Sequence, residues 1–247
     1  VSLEPATTLL FGVGLGPGDP DYMTVRARDI ILSADRLVHF CKRGRRGNAR
    51  ITADAVVAPD AAREIELAFP VTIEVPVDDE AYSGPIAQFY DESAALLAAE
   101  MEAGRTVAVL CDGDPFFYGS FMHLWRRLSP RFPTEVVPGV TGMAGAWTRA
   151  DAPITWGDDI LTVLPGTLPE AELVRRLADT DAAIIMKLGR NLPKVRRALM
   201  ATGLIARAIY VERATMAGQV VARLADKGDD EAPYFSMVLV PGEGRRL

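Results

Sequence analysis

Three segments that combine glycine with acid or proline each follow an apolar run: GVGLGPGDP at 12–20, CDGDPFFYGS at 111–120 and VPGVTGMAGA at 137–146. The first carries glycine at alternate positions, which invites a dinucleotide-binding reading. That fingerprint, G-x-G-x-x-G, needs a third glycine at 17 or at 19, where Pro17 and Asp19 stand, and the phosphate loop G-x-x-x-x-G-K-[ST] is absent too. Asp19 and Pro20 put a carboxylate and a missing N–H where a pyrophosphate needs donors, so a cationic or neutral ligand suits this loop better. In the second segment Asp112 and Asp114 stand two apart at a strand end, where carboxylates can meet a ligand or simply cap the following helix. The small residues of the third permit close backbone approach.

A different chemistry is suggested by CKRGRRGNAR at 41–50. Lys42, Arg43, Arg45, Arg46 and Arg50 fall within ten positions of a chain with 27 basic and 33 acidic residues and a net charge of -6. No Asp or Glu lies between Asp35 and Asp54, so nothing nearby in sequence neutralises the run. Arginine pairs bidentately with carboxylates and phosphates, while a basic surface loop is often simply solvated, and the run alone leaves both readings open. Nucleic acid is disfavoured: the chain is acidic, the run carries no aromatic residue after Phe40, and its charges occupy one short loop. Cys41 and Cys111 belong to no C-x-x-C pair and are expected to be buried free thiols; His39 and His123 stand alone, and no metal is expected.

These residues must be held by a frame, and the pattern of the chain supplies one. Apolar content of 49 % and charged content of 24 % are those of an ordinary globular protein. No apolar run reaches the roughly 20 residues of a membrane span, and the first residues lack the features of a secretory signal, so the chain reads as cytoplasmic, with no membrane partner. Strand-like runs alternate with amphipathic stretches, the signature of an α/β fold. Strands are expected at 8–14, 36–40, 106–111, 160–165, 182–188 and 208–212, with helices from Thr24, at 85–104, near 170–177 and near 192–201. Pro85 is expected to open its helix, with a stripe of Ile86, Phe89, Leu96, Leu97 and Met101. Runs at 219–224 and 234–242 suggest a closing antiparallel hairpin. Two α/β domains follow, 1–118 and 119–247, and the large aromatics Phe121, Trp147 and Trp156 are expected in their cores.

Taken together, VGLGPGDPDYMTVRA, DGDPFFYGS, VVPGVTG, IMK at 185–187 and VERAT at 211–215 resemble the tetrapyrrole methylases in order and spacing over nearly the whole chain. FCKRGRRGNAR and PYFSMVLVPG are most similar to the branch that methylates C-20 of precorrin-2 in cobalamin biosynthesis. The resemblance implies two α/β domains with the active site in the cleft between them, S-adenosylmethionine as methyl donor, and a homodimer. It implies cofactor contacts at Pro17, Asp112, Gly113, Asp114, Thr141, Gly142, Met186, Ala214 and Ser236; Asp112 departs from the family, in which many members have glycine there. Lys42, Arg43, Arg45, Arg46 and Arg50 become candidate contacts to the carboxylates of the tetrapyrrole. Asp114 and Tyr118 are candidates, by position, for the base that removes a proton after methyl transfer. A cobalt-containing ring, or an RNA or protein substrate on the same fold, is the alternative.

Overall fold

The structure is a computed structural model, and it describes residues 9–70 and 80–244. The chain divides into two units, the first ending at Thr141 and the second beginning at Gly142.

In the first unit, β1 (Leu10–Gly14), β2 (Arg36–Lys42), β3 (Glu64–Phe69), β4 (Val107–Cys111) and β5 (Thr134–Val137) form a wholly parallel sheet in the order β3-β2-β4-β1-β5. Helices cover both faces, which is why β1 and β4 are buried along their whole length. Residues of α1 (Val25–Ser33) and α2 (Asn48–Ala53) pack on Phe11, Val13, Leu37 and Leu110. Residues of α3 (Glu80–Glu102) and α4 (Phe121–Leu128) pack on Leu10, Val38, Val107 and Val109. Thr24 caps α1 as expected, its Oγ1 accepting from the Ala27 amide at 3.1 Å.

The domain boundary expected after Tyr118 is corrected. β5 pairs with β1, so 119–141 complete the first sheet. Pro85 lies inside α3 and does not open it. The buried face is Tyr90, Ala94, Leu97, Ala98 and Met101, and Leu96 of the expected stripe is 45 % exposed; packing on the sheet outweighs the amide lost at proline.

The second unit orders β6 (Leu161–Pro165), β7 (Ala182–Met186), β8 (Ile209–Glu212), β9 (Val220–Arg223) and β10 (Ser236–Val240) as β6-β7-β10-β8-β9. The α5 helix (Gly142–Arg149) covers one face, and α6 (Glu170–Leu177) and α7 (Leu192–Ala201) the other. The expected β9–β10 hairpin does not form: β10 lies between β7 and β8, antiparallel to both, and β9 is the edge strand on β8. Burial explains the exchange, since every residue of β10 is buried whereas Val220 and Val221 of β9 are exposed. Phe121 is a core residue as expected, whereas Trp156 is 49 % exposed.

Candidate active site

In the first unit the crossover β1–α1–β2 runs to one side of the sheet and β4–α4–β5 to the other, and the two helices cover opposite faces. The ends of β1 and β4 therefore flank a topological switch point, where α/β sheets bind ligands. The three glycine segments meet there. Gly16 and Gly113 form an isolated antiparallel bridge, the Gly113 amide donating to the Gly16 carbonyl at 2.8 Å. A Cβ on Gly139 would lie 2.0 Å from the Gly113 carbonyl oxygen, and one on Gly14 would lie 2.5 Å from the Gly139 nitrogen. These glycines are required by mutual backbone contact, which leaves main-chain groups as the lining.

The two loop acids have different surroundings. Asp114 Oδ1 accepts from the Phe116 amide at 2.9 Å and Oδ2 from the Gly139 amide at 3.1 Å, so this carboxylate ties the second glycine segment to the third. Asp114, a candidate base by its position, thus has each oxygen already accepting from an amide. Asp112 makes no hydrogen bond or ion pair with any described residue. Its side chain keeps solvent-accessible surface, yet the protein packed around it strips enough hydration to raise its carboxyl pKa to about 7. Pro17 is buried beside the Gly16 bridge, Thr141 lies within the third segment just before α5, and Tyr118 is exposed with a φ of 52°. Asp19 caps the short turn that follows, Oδ1 accepting from the Asp21 amide at 3.0 Å.

In the second unit the carboxyl ends of β7 and β8 lie beside the amino end of β10, gathering the remaining expected contacts. Met186 and Ala214 pack in one cluster with Met143 and Met237, and a Cβ on Gly142 would be 3.7 Å from the Met237 methyl. Ser236 is buried with its hydroxyl donating to the Pro233 carbonyl at 2.6 Å, so it has its backbone to offer a ligand before its side chain. Left-handed backbone outside glycine is rare and collects at functional loops. Four of the five such residues described stand at expected site segments, Tyr118, Lys187 next to Met186, and Arg213 and Thr215 on either side of Ala214; the fifth, Asp151, does not.

The basic run splits. β2 delivers it to the carboxyl end of the sheet, where a turn closes with the Arg45 amide donating to the Lys42 carbonyl at 2.9 Å. Lys42, Arg43 and Arg45 are exposed and pair with no described acid. Arg46 makes two hydrogen bonds of 2.8 Å to Asp54, which hold the Asp54 carboxyl below the usual range. Arg50, assigned above to substrate, has 0 % exposure: Nε donates to Glu64 at 2.8 Å, Nη2 to the Val57 carbonyl at 3.2 Å, and Nη1 lies 3.0 Å from Asp54. It is a structural cation, and that assignment is corrected. Beneath it His39 is fully buried, both ring nitrogens lacking a hydrogen bond, and burial lowers its pKa against the pull of Glu66 and Glu64. Sequence proximity missed this network because Glu64 reaches Arg50 only through the β2–β3 pairing.

A shallow depression lined by Arg36, Arg63 and Arg105 lies toward the opposite end of the sheet. Its cations are engaged, Arg36 and Arg105 with Glu100 and Arg63 with the Ile31 and Ala34 carbonyls, so it is not preferred. Among the described residues no helix is long and apolar enough to cross a membrane.

Comparison with known proteins agrees with this arrangement. The family model described as Tetrapyrrole (Corrin/Porphyrin) Methylases matches residues 9–226. A precorrin-2 C(20)-methyltransferase of Sinorhizobium sp is 57% identical over 233 residues, 94% of this chain and 95% of that protein. A cobalt-precorrin-2 C(20)-methyltransferase of Salmonella typhimurium is 32% identical, over 94% of this chain and 95% of its own. Among solved structures, the uroporphyrin-III C-methyl transferase of Thermus thermophilus complexed with S-adenosyl homocysteine superposes with a TM-score of 0.65 at 22% identity, covering 94% of this chain and 96% of that one. The chain belongs to the tetrapyrrole (corrin/porphyrin) methylase family.

Proposed function

We propose that this protein transfers the methyl group of S-adenosylmethionine to C-20 of precorrin-2 in cobalamin biosynthesis. The observation that carries the reading is 57% identity, over 94% of the chain, to a precorrin-2 C(20)-methyltransferase, with the basic turn included in a fold of that family. The site residues fit the donor. Close glycine contacts leave a main-chain lining, Asp112 offers an unpaired carboxylate to a cation, and Met143, Met186 and Met237 offer soft apolar surface. Bound S-adenosylmethionine supplies an electrophilic methyl group on a sulfonium.

The proposed contacts to it are Pro17, Asp112, Gly113, Thr141, Gly142, Met186 and Ala214, with Asp114 bracing the loops and Ser236 acting through its backbone. Lys42, Arg43 and Arg45 pair with ring carboxylates and set which meso carbon is presented, so orientation is the main catalytic contribution of the protein. A homodimer is the proposed assembly, on the family resemblance alone, and light scattering tests it. Buried free thiols at Cys41 and Cys111 fit a reducing, cytoplasmic compartment.

The 32% identity to a cobalt-precorrin-2 enzyme supports a second reading, with the metal inserted first. Precorrin-2 and cobalt-precorrin-2 are assayed side by side with labelled donor. A mass gain of one methyl group on the metal-free ring supports the first reading. Turnover of the cobalt ring alone replaces it with the second, and turnover of neither refutes both.

A further inference from the structure

Methylation at a meso carbon that already bears hydrogen leaves a proton to be removed. The new C–C bond uses an electron pair of the conjugated ring, and the bond to sulfur breaks with its pair staying on sulfur. C-20 is then tetrahedral, carrying both hydrogen and methyl, and the ring holds the positive charge. Conjugation returns when the C-20–H bond gives its electron pair to the ring and its proton to a base.

The second glycine segment offers three groups. Asp114 has both carboxylate oxygens engaged by backbone amides. Tyr118 is 43% exposed, and a phenol hydroxyl is a weaker proton acceptor than a carboxylate. Asp112 stands at the end of the central strand β4, beside the switch point, with an accessible side chain. Neither oxygen is engaged by a described residue. We propose that Asp112 is the base that takes the proton from C-20, a role that rests on the function proposed above.

Its surroundings favour that role. The charged or titratable groups facing it on its own segment are Asp114 and the Cys111 thiol, while 14–18 and 137–141 carry no charged side chain; the free cations Lys42, Arg43 and Arg45 follow the end of β2. Loss of hydration alone brings the carboxyl to about 7, where a general base works best at neutral pH. Beside a cationic sulfur Asp112 is held ionised. It regains proton affinity once that charge has passed to the ring, which is when the proton must leave.

The test uses the full-length protein, D112N and D112E, with precorrin-2 carrying hydrogen or deuterium at C-20. D112N is expected to bind S-adenosylmethionine more weakly, because the carboxylate beside the sulfonium is lost, and at saturating donor to lose at least about 100-fold in kcat, the usual worth of a general base. A primary deuterium isotope effect should appear, with S-adenosylhomocysteine released in a first-turnover burst ahead of the product chromophore. D112E should restore part of the rate, and the wild-type loss of kcat below about pH 7 should be absent from D112N. Carbon-13 NMR of the Asp112 carboxyl gives a readout independent of turnover: titration near neutral pH in the free protein, displaced to lower pH by the donor. An unchanged kcat and pH profile in D112N overturns the assignment. So does a loss of donor binding that accounts for all of the defect, or titration in the ordinary carboxylate range. Wild type that releases no S-adenosylhomocysteine with precorrin-2 overturns the functional reading and the base assignment with it; active wild type with unaffected D112N overturns the base alone.

Discussion

Replacing Arg50 by Met keeps the length of the side chain and deletes its charge beneath the basic turn. In the folded protein Glu64, whose side chain is 14% exposed, then loses its 2.8 Å hydrogen bond, and Asp54 loses one of its two cations. Breaking a buried pair by removing one partner costs about 3–5 kcal/mol, because the remaining charge stays buried without compensation. The penalty depends on pH. Burial works to raise the pKa of Glu64, but the hydrogen bonds from Arg50 and the Asp60 amide, with the charge of Arg50, outweigh it and hold the carboxyl below its ordinary range. A carboxylate depressed in this way contributes stability that is complete above its unfolded pKa and is lost as pH falls through the folded one. The R50M penalty should therefore be full at pH 7 and shrink in acid, where the orphaned Glu64, left with burial and without the Arg50 charge, takes up a proton sooner than in wild type. Urea unfolding followed by Trp125 fluorescence, with Trp147 and Trp156 replaced by Phe, reports on the first unit alone. In R50M/E64L the cost should fall well below the sum of the single changes. An R50M penalty under about 0.5 kcal/mol at pH 7, or additive single changes, would refute the buried-pair argument.

Three further outcomes follow from the geometry. Replacing Lys42, Arg43 and Arg45 together by Ala should raise the KM for the tetrapyrrole by at least about tenfold with little change in donor binding, the effect of losing a single charge-assisted contact of about 1.5 kcal/mol; R46A, which breaks an exposed pair with Asp54, should do much less. G139A should destabilise the first unit by about 3 kcal/mol or more in urea, because its Cβ would meet the Gly113 carbonyl at 2.0 Å, whereas G44A, with open space around it and a φ of 74°, should cost only about 1 kcal/mol of backbone strain. Cys41 and Cys111 should resist a disulfide-exchange reagent until the unit unfolds, since both are buried and burial raises their pKa, suppressing the thiolate.

The α/β class and most elements were legible along the chain because buried parallel strands are continuous apolar runs and helices carry caps and stripes. The α6 helix appears over the expected 170–177, and β4 within its expected run. The short α2 and half-buried β3 carry no such signal, and it is β3 that brings Glu64 to Arg50. The domain boundary was misplaced for the same reason: the short, half-buried β5 is recognisable only from its pairing with β1.

Residue order and type alone determined the failure of the nucleotide fingerprints, the family motifs and the clustering of five cations, all of which are properties of neighbours along the chain. Which cations are free was decided only by tertiary structure. Arg50 and Arg45 are five positions apart in one run, yet one is sealed between α2 and β3 and the other stands in solvent. Asp112 and Asp114 divide in the same way, since the Gly139 amide that engages Asp114 arrives from 25 residues downstream. Charge is written in the sequence, but the hydration and partners that set what a charge can do are supplied by segments far away along it.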